Sequence, residues 1–87
     1  MITNKTLLNA YNNLLEDHTE SESNYILLNS LAVLGDKKVQ VSENLDKNSL
    51  NRVNRYKYPD RLASFIATTS KKSQQWGELS FAKLAFS

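Results

Sequence analysis

The chain contains no cysteine, which removes disulfides and thiolate metal ligands from any account of its stability or chemistry. Its one histidine, His18, cannot supply the paired imidazoles of a zinc finger or metalloprotease. Beside Glu16 and Asp17 it reads as a surface residue rather than a catalyst. The two glycines, Gly35 and Gly77, stand too far apart to form a phosphate-cradling loop. With Pro59 as the single proline, the chain lacks the turn residues that an all-β fold requires. No apolar run approaches the ~18 residues of a membrane span, and the longest, residues 25–34, is interrupted by Asn29 and Ser30. The opening Met1-Ile2-Thr3-Asn4-Lys5 has neither the charged start nor the apolar run of a signal peptide, so a cytoplasmic location is expected. Asn4-Lys5-Thr6 fits a glycosylation sequon, which has no use without secretion. Glu16, Asp17, Glu20 and Glu22 match no calcium-loop spacing. The four tyrosines lack the larger domain of positioned basic partners that nucleophilic DNA cleavage demands. The expectation is a binding protein that is not an enzyme, with no cofactor, no metal and no membrane partner.

What is present points to helices. Eighty-seven residues make one domain, residues 1–87, whose modest core would ordinarily gain from pairing with a second copy. From Asn4 to Glu16 the residues Leu7, Leu8, Tyr11, Leu14 and Leu15 fall on one stripe, which predicts a first helix within residues 1–18. Thr19 and Glu22 have the spacing of a capping box. A second helix should therefore carry Tyr25, Ile26, Leu27, Leu28, Leu31, Val33 and Leu34 to a stop at Gly35. Apolar on much of its surface, this helix should be the central element of the core. Val39 and Val41 alternate with polar residues, so a strand and a short helix over residues 37–44 are both open. Asp46 suits the N-cap of a helix running to about Tyr56. Pro59 and Asp60 suit the first turn of another, with Leu62, Phe65 and Ile66 facing inward. Residues 68–73, TTSKKS, are expected to form a loop. The tail, residues 74–87, with Trp76, Leu79, Phe81, Leu84 and Phe86, could be helix or strand. It would fill the core or form a seam between copies.

The net charge of +2 conceals a division. Residues 1–36 set Lys5 against Glu16, Asp17, Glu20, Glu22 and Asp36. Residues 37–72 set Lys37, Lys38, Lys47, Arg52, Arg55, Lys57, Arg61, Lys71 and Lys72 against Glu43, Asp46 and Asp60. A basic middle of this kind suits a polyanionic partner, while the alternative is that the two regions merely attract each other.

The informative stretch is residues 36–57. In a helix-turn-helix a first helix braces a second, whose N-terminal half enters the major groove. With Asp46 as cap, Leu50 and Val53 point inward, leaving Lys47, Asn48, Ser49, Asn51, Arg52 and Arg55 to solvent or DNA. Those side chains combine cations for phosphates with groups that read base edges. Lys37, Lys38, Lys57 and Arg61 would neutralise backbone phosphates around them. A solvated helix face is the plain alternative. Tyr56 and Tyr58, among Arg55, Lys57 and Arg61, either pack against Pro59 and the core or offer stacking surfaces for single-stranded nucleic acid.

Residues 25–59, YILLNSLAVLGDKKVQVSENLDKNSLNRVNRYKYP, resemble the N-terminal part of the CII transcription activators of lambda-type phages. The likeness is carried by LLNSLAVLG at residues 27–35, by DKNSLNR at residues 46–52 and by the break at Pro59. The resemblance implies a small helical domain with a helix-turn-helix-like core over residues 24–57, acting as a sequence-specific regulator of transcription on double-stranded DNA. It also implies DNA contacts from Lys47, Asn48, Ser49, Asn51, Arg52 and Arg55. The chain departs from the pattern where Gln40 and Glu43 fall at positions that usually hold small and apolar residues. It also adds the helix at residues 4–16, and its tail is shorter than the family's oligomerising region. The competing expectation is a small helical inhibitor of phage or plasmid type that blocks a host protein, using either its acidic residues 16–22 or its basic middle. An RNA-binding protein is a third.

Overall fold

The computed structural model of the chain describes residues 1–36, 39 and 45–76, with side chains described as far as residue 71. It is mainly helical, with four helices and no strand among the described residues: α1 (Lys5–Asp17), α2 (Glu20–Val33), α3 (Lys47–Asn54) and α4 (Pro59–Trp76).

α1 begins where Asn4, held in an extended conformation, accepts hydrogen bonds from the backbone N–H groups of Thr6 and Leu7. Two donors left open by the first turn are thereby satisfied. Leu7 and Leu14 are buried and Leu8 and Tyr11 pack beside them, whereas Leu15, at the edge of the stripe, is 40% exposed. Only His18 and Thr19 separate α1 from α2. The capping box forms as the spacing predicts: Thr19 Oγ1 accepts from Glu22 N–H, and a Glu22 carboxylate oxygen accepts from Thr19 N–H.

α2 is the central element. Every residue from Ile26 to Leu31 is buried, and the helix packs against α1, α3 and α4. A helix surrounded over its middle turns buries the polar residues it carries there, here Ser23, Asn24, Asn29 and Ser30. Ser30 donates back to the Ile26 carbonyl at 2.6 Å, and Tyr11 donates its phenol proton to Asn24 Oδ1. Burial, aided by the charge of Glu20, pushes the Tyr11 phenol up from its ordinary pKa. The end of α2 is a Schellman turn. The N–H of Gly35 meets the Ala32 carbonyl at 3.1 Å, and that of Asp36 meets the Leu31 carbonyl at 3.2 Å. The turn requires the positive φ of +122° that Gly35 adopts.

α3 starts at Asp46, whose carboxylate accepts the Ser49 N–H at 2.7 Å. That backbone hydrogen bond, with help from the Ser49 side chain and the Asn48 N–H, holds the Asp46 carboxyl below its ordinary pKa. A carboxylate depressed in the folded state stabilises fully above its unfolded pKa, and the contribution is lost as pH falls through the folded value. Asp46→Asn keeps a capping acceptor without a titrating group. The stability gap between wild type and this variant is expected to be widest at neutral pH and to close in acid. Urea midpoints at several pH values check this, and a gap independent of pH would exclude the linkage.

At its other end α3 is tied to the start of the chain. The Asn54 carboxamide donates to the Met1 carbonyl at 3.0 Å and accepts from Thr3 N–H at 2.8 Å, beside a buried Ile2. Four residues then lead to α4, where Pro59 occupies the first helical position and Asp60 the first turn, as the sequence predicts. Leu62 and Ile66 are buried and Phe65 is half-buried.

One expectation is corrected here. Residues 68–73 are not a loop; α4 runs through them to Trp76. Thr68 returns its hydroxyl to the Ser64 carbonyl at 3.0 Å, and Thr69 is buried. His18 Nε2 lies 3.0 Å from Ser70 Oγ, fastening this turn to the end of α1. Tertiary contact thus outweighs the weak helix preference of Ser and Thr. Whether residues 37–44 are strand or helix, and how residues 77–87 fold, lies outside the described residues, apart from Val39, which is buried.

Candidate nucleic-acid interface

The eight residues of α3 divide cleanly by helical period. Ser49 and Val53 are buried, and Leu50 packs partly buried against the core. Lys47, Asn48, Asn51 and the C-capping Arg55 are exposed on the opposite side, with Arg52 half-buried at its margin. Ser49 corrects an expectation. It lies one turn before Val53 on the inner face, 3% exposed, and its hydroxyl serves the Asp46 cap rather than facing outward.

The outward face forms one wall of an open concavity of about 940 Å³. Asn48, Asn51, Arg52 and Arg55 line it from α3, Leu34, Gly35 and Asp36 from the end of α2, and Tyr56, Lys57 and Tyr58 from the turn toward α4. The Schellman turn at Gly35 brings Asp36 opposite α3. There both carboxylate oxygens of Asp36 lie 3.2 Å from Arg52 Nη1. Tyr56 packs against the core and points its hydroxyl at the Leu34 carbonyl, 3.5 Å away. Tyr58 is 53% exposed, edge-on to Tyr56 with ring centroids 6.3 Å apart. Lys57 Nζ sits 5.8 Å from the centre of the Tyr58 ring. Packing therefore accounts for one tyrosine and leaves the other on the rim.

Among the expected contact residues, Asn48, Asn51, Arg52, Arg55 and Lys57 come together in this concavity. Lys47 is exposed on the first turn of α3, and Arg61 is exposed on the first turn of α4, outside the lining. Lys37 and Lys38 lie outside the described residues. So do most of residues 37–44, where the first helix of a helix-turn-helix ending in α3 is expected. Residues 34–46 join α2 to α3, a connection longer than the three- or four-residue turn of that motif, so α2 itself cannot be its first helix.

Sequence reasoning missed two participants. Asp36 appeared only as one acidic residue among several, sixteen positions from its partner. Asn54, which pins the N-terminal segment to the end of α3, had no local signal either. Among the described residues no group of three or more His, Asp or Glu side chains converges as a metal site. No described helix is long and apolar enough to cross a membrane. No protein-family model, curated protein or solved structure matches the chain.

Proposed function

We propose that this chain is a DNA-binding regulator, without catalytic activity, that lays the outward face of α3 in the major groove of a duplex. The observation that carries the reading is the division of α3. A capped helix held by Val53, Ser49 and Leu50 presents Lys47, Asn48, Asn51 and Arg55 together. Lysine and arginine supply phosphate contacts, and asparagine and arginine have the donor patterns that distinguish adenine and guanine edges. The likeness of residues 27–35 and 46–52 to the CII activators points the same way. The same reading has the protein working in the cytoplasm as a dimer or larger assembly on repeated half-sites, as helix-turn-helix regulators commonly do.

Fluorescence anisotropy against a pool of random duplexes, at low and physiological salt, tests the reading. Wild type is expected to retain selected sequences at physiological salt. Loss of one phosphate contact should make the salt dependence shallower by about 0.9 in log K against log salt. Arg55→Ala is expected to show that change, whereas Asn51→Ala should blur sequence preference and leave the slope alone. Binding that disappears at physiological salt for every duplex would sink the proposal. A complex with a host protein, recovered without nucleic acid, would then favour the inhibitor reading, and preference for single-stranded RNA would favour the third.

A further inference from the structure

Among the described residues, Arg52 is the cation of α3 held in an ion pair. Its Nη1 faces both oxygens of Asp36 at 3.2 Å, with side-chain exposures of 39% and 21%. A half-exposed ion pair of this kind adds little to stability. Its geometric effect is larger. An arginine engaged through one terminal nitrogen is biased, before any ligand arrives, toward the rotamers that keep the contact. Engagement through Nη1 leaves the Nε and Nη2 donors of the planar guanidinium, a parallel pair of N–H groups, open to a ligand. Arg52 lines the concavity between Asn48 and Arg55, where a base edge would enter. The complementary base edge is that of guanine, whose O6 and N7 accept two parallel N–H donors.

From this geometry we infer that Asp36 is a positioning residue that presets Arg52 to read one guanine in the duplex. The inference rests on the DNA reading above and adds to it the identity of one base and the residue that enforces it. Asp36 makes no base contact. Being acidic, it repels phosphate, so its contribution is to selectivity and not to affinity. Sequence-independent binding should therefore stay the same or tighten when Asp36 is removed.

The test measures the best duplex selected by wild type, together with every single base-pair change in it. Wild type, Arg52→Ala, Asp36→Ala and Asp36→Asn are compared, each first shown to be folded by circular dichroism. Wild type is expected to require a G·C pair at one position by on the order of 10- to 100-fold. Arg52→Ala should abolish the preference at that position alone. Asp36→Ala should reduce it several-fold, leave discrimination at other positions intact and leave the salt slope unreduced. Asp36→Asn, which can still accept from Nη1, should fall between. A purely structural ion pair would lower discrimination at all positions together or at none, and either result overturns the inference while the DNA reading stands. A site without a required G·C pair also overturns it. Failure of wild type to select any duplex removes both.

Discussion

Leu27→Ala is expected to lower the free energy of unfolding by about 2–5 kcal/mol. Leu27 is fully buried on α2, in a cluster with Leu7, Leu14, Ile26, Leu28, Leu31, Val53, Leu62 and Ile66. These residues come from α1, α2, α3 and α4, so truncation opens a void inside the core that the helices share, where the surroundings relax only in part. Stabilities of about 0.05–0.15 kcal/mol per residue are usual, so a chain of 87 residues has roughly 4–13 kcal/mol to lose. The substitution therefore removes a large share and brings the domain close to its unfolding threshold. The effect should reach function, because α3 is seated on α2 and a loosened α2 would no longer fix the face that meets DNA. Leu15→Ala supplies the contrast. Leu15 is 40% exposed, and its loss should change stability by less than about 0.5 kcal/mol. Urea denaturation checks both: the Leu27→Ala midpoint should fall with little change in slope. A midpoint close to that of Leu15→Ala would mean that α2 is not the centre of the core.

The helices were legible in the sequence because their signals are local. Asn4, Thr19 with Glu22, Asp46 and Pro59 each mark a helix start within one turn, and Gly35 marks an end. The enclosed character of α2 was also legible, since its apolar residues exceed one stripe. The extent of α4 was not. Four of residues 68–73 are Ser or Thr, which are weak helix formers, and part of what fastens the stretch is contact with distant parts of the chain, such as Ser70 with His18. The candidate interface divided in the same way. Lys47, Asn48, Asn51 and Arg55 follow from the period of a capped helix whose inward residues are known. Ser49 was misplaced because a serine gives no apolar mark of its inward position, although it stands four residues before Val53. The pairing of Asp36 with Arg52 depends on how the chain turns after α2, which no local pattern encodes.

The second large effect is expected in the opposite direction. Asn29 is 1% exposed, and neither its Nδ2 nor its Oδ1 has a hydrogen-bond partner among the described residues. A buried donor or acceptor without a partner costs about 1–3 kcal/mol, because the group has lost its water and gained nothing. Leucine branches at the same carbon as asparagine, is apolar, and is the better helix former by a few tenths of a kcal/mol. Its larger volume works against it, since a packed core resists added atoms. Relief of desolvation should outweigh the added bulk, because two polar atoms are removed and Tyr25 and Val33, one turn to either side on α2, are partly exposed. Asn29→Leu is thus expected to stabilise the domain by about 1–3 kcal/mol, raising the melting temperature by roughly 4–8 °C for each kcal/mol. Asn29→Ala separates polarity from bulk: it removes the polar atoms without adding volume, but leaves a small void. Thermal melts of the three proteins decide the matter. If both variants melt below wild type by several degrees, the Asn29 carboxamide is engaged in solution, and its partner lies beyond the described side chains. If Asn29→Leu melts higher and still binds the selected duplex, α2 carries its polar residues at a cost to stability and without benefit to the interface. A gain in stability accompanied by loss of selective binding would instead make Asn29 a residue whose strain the α3 face depends on.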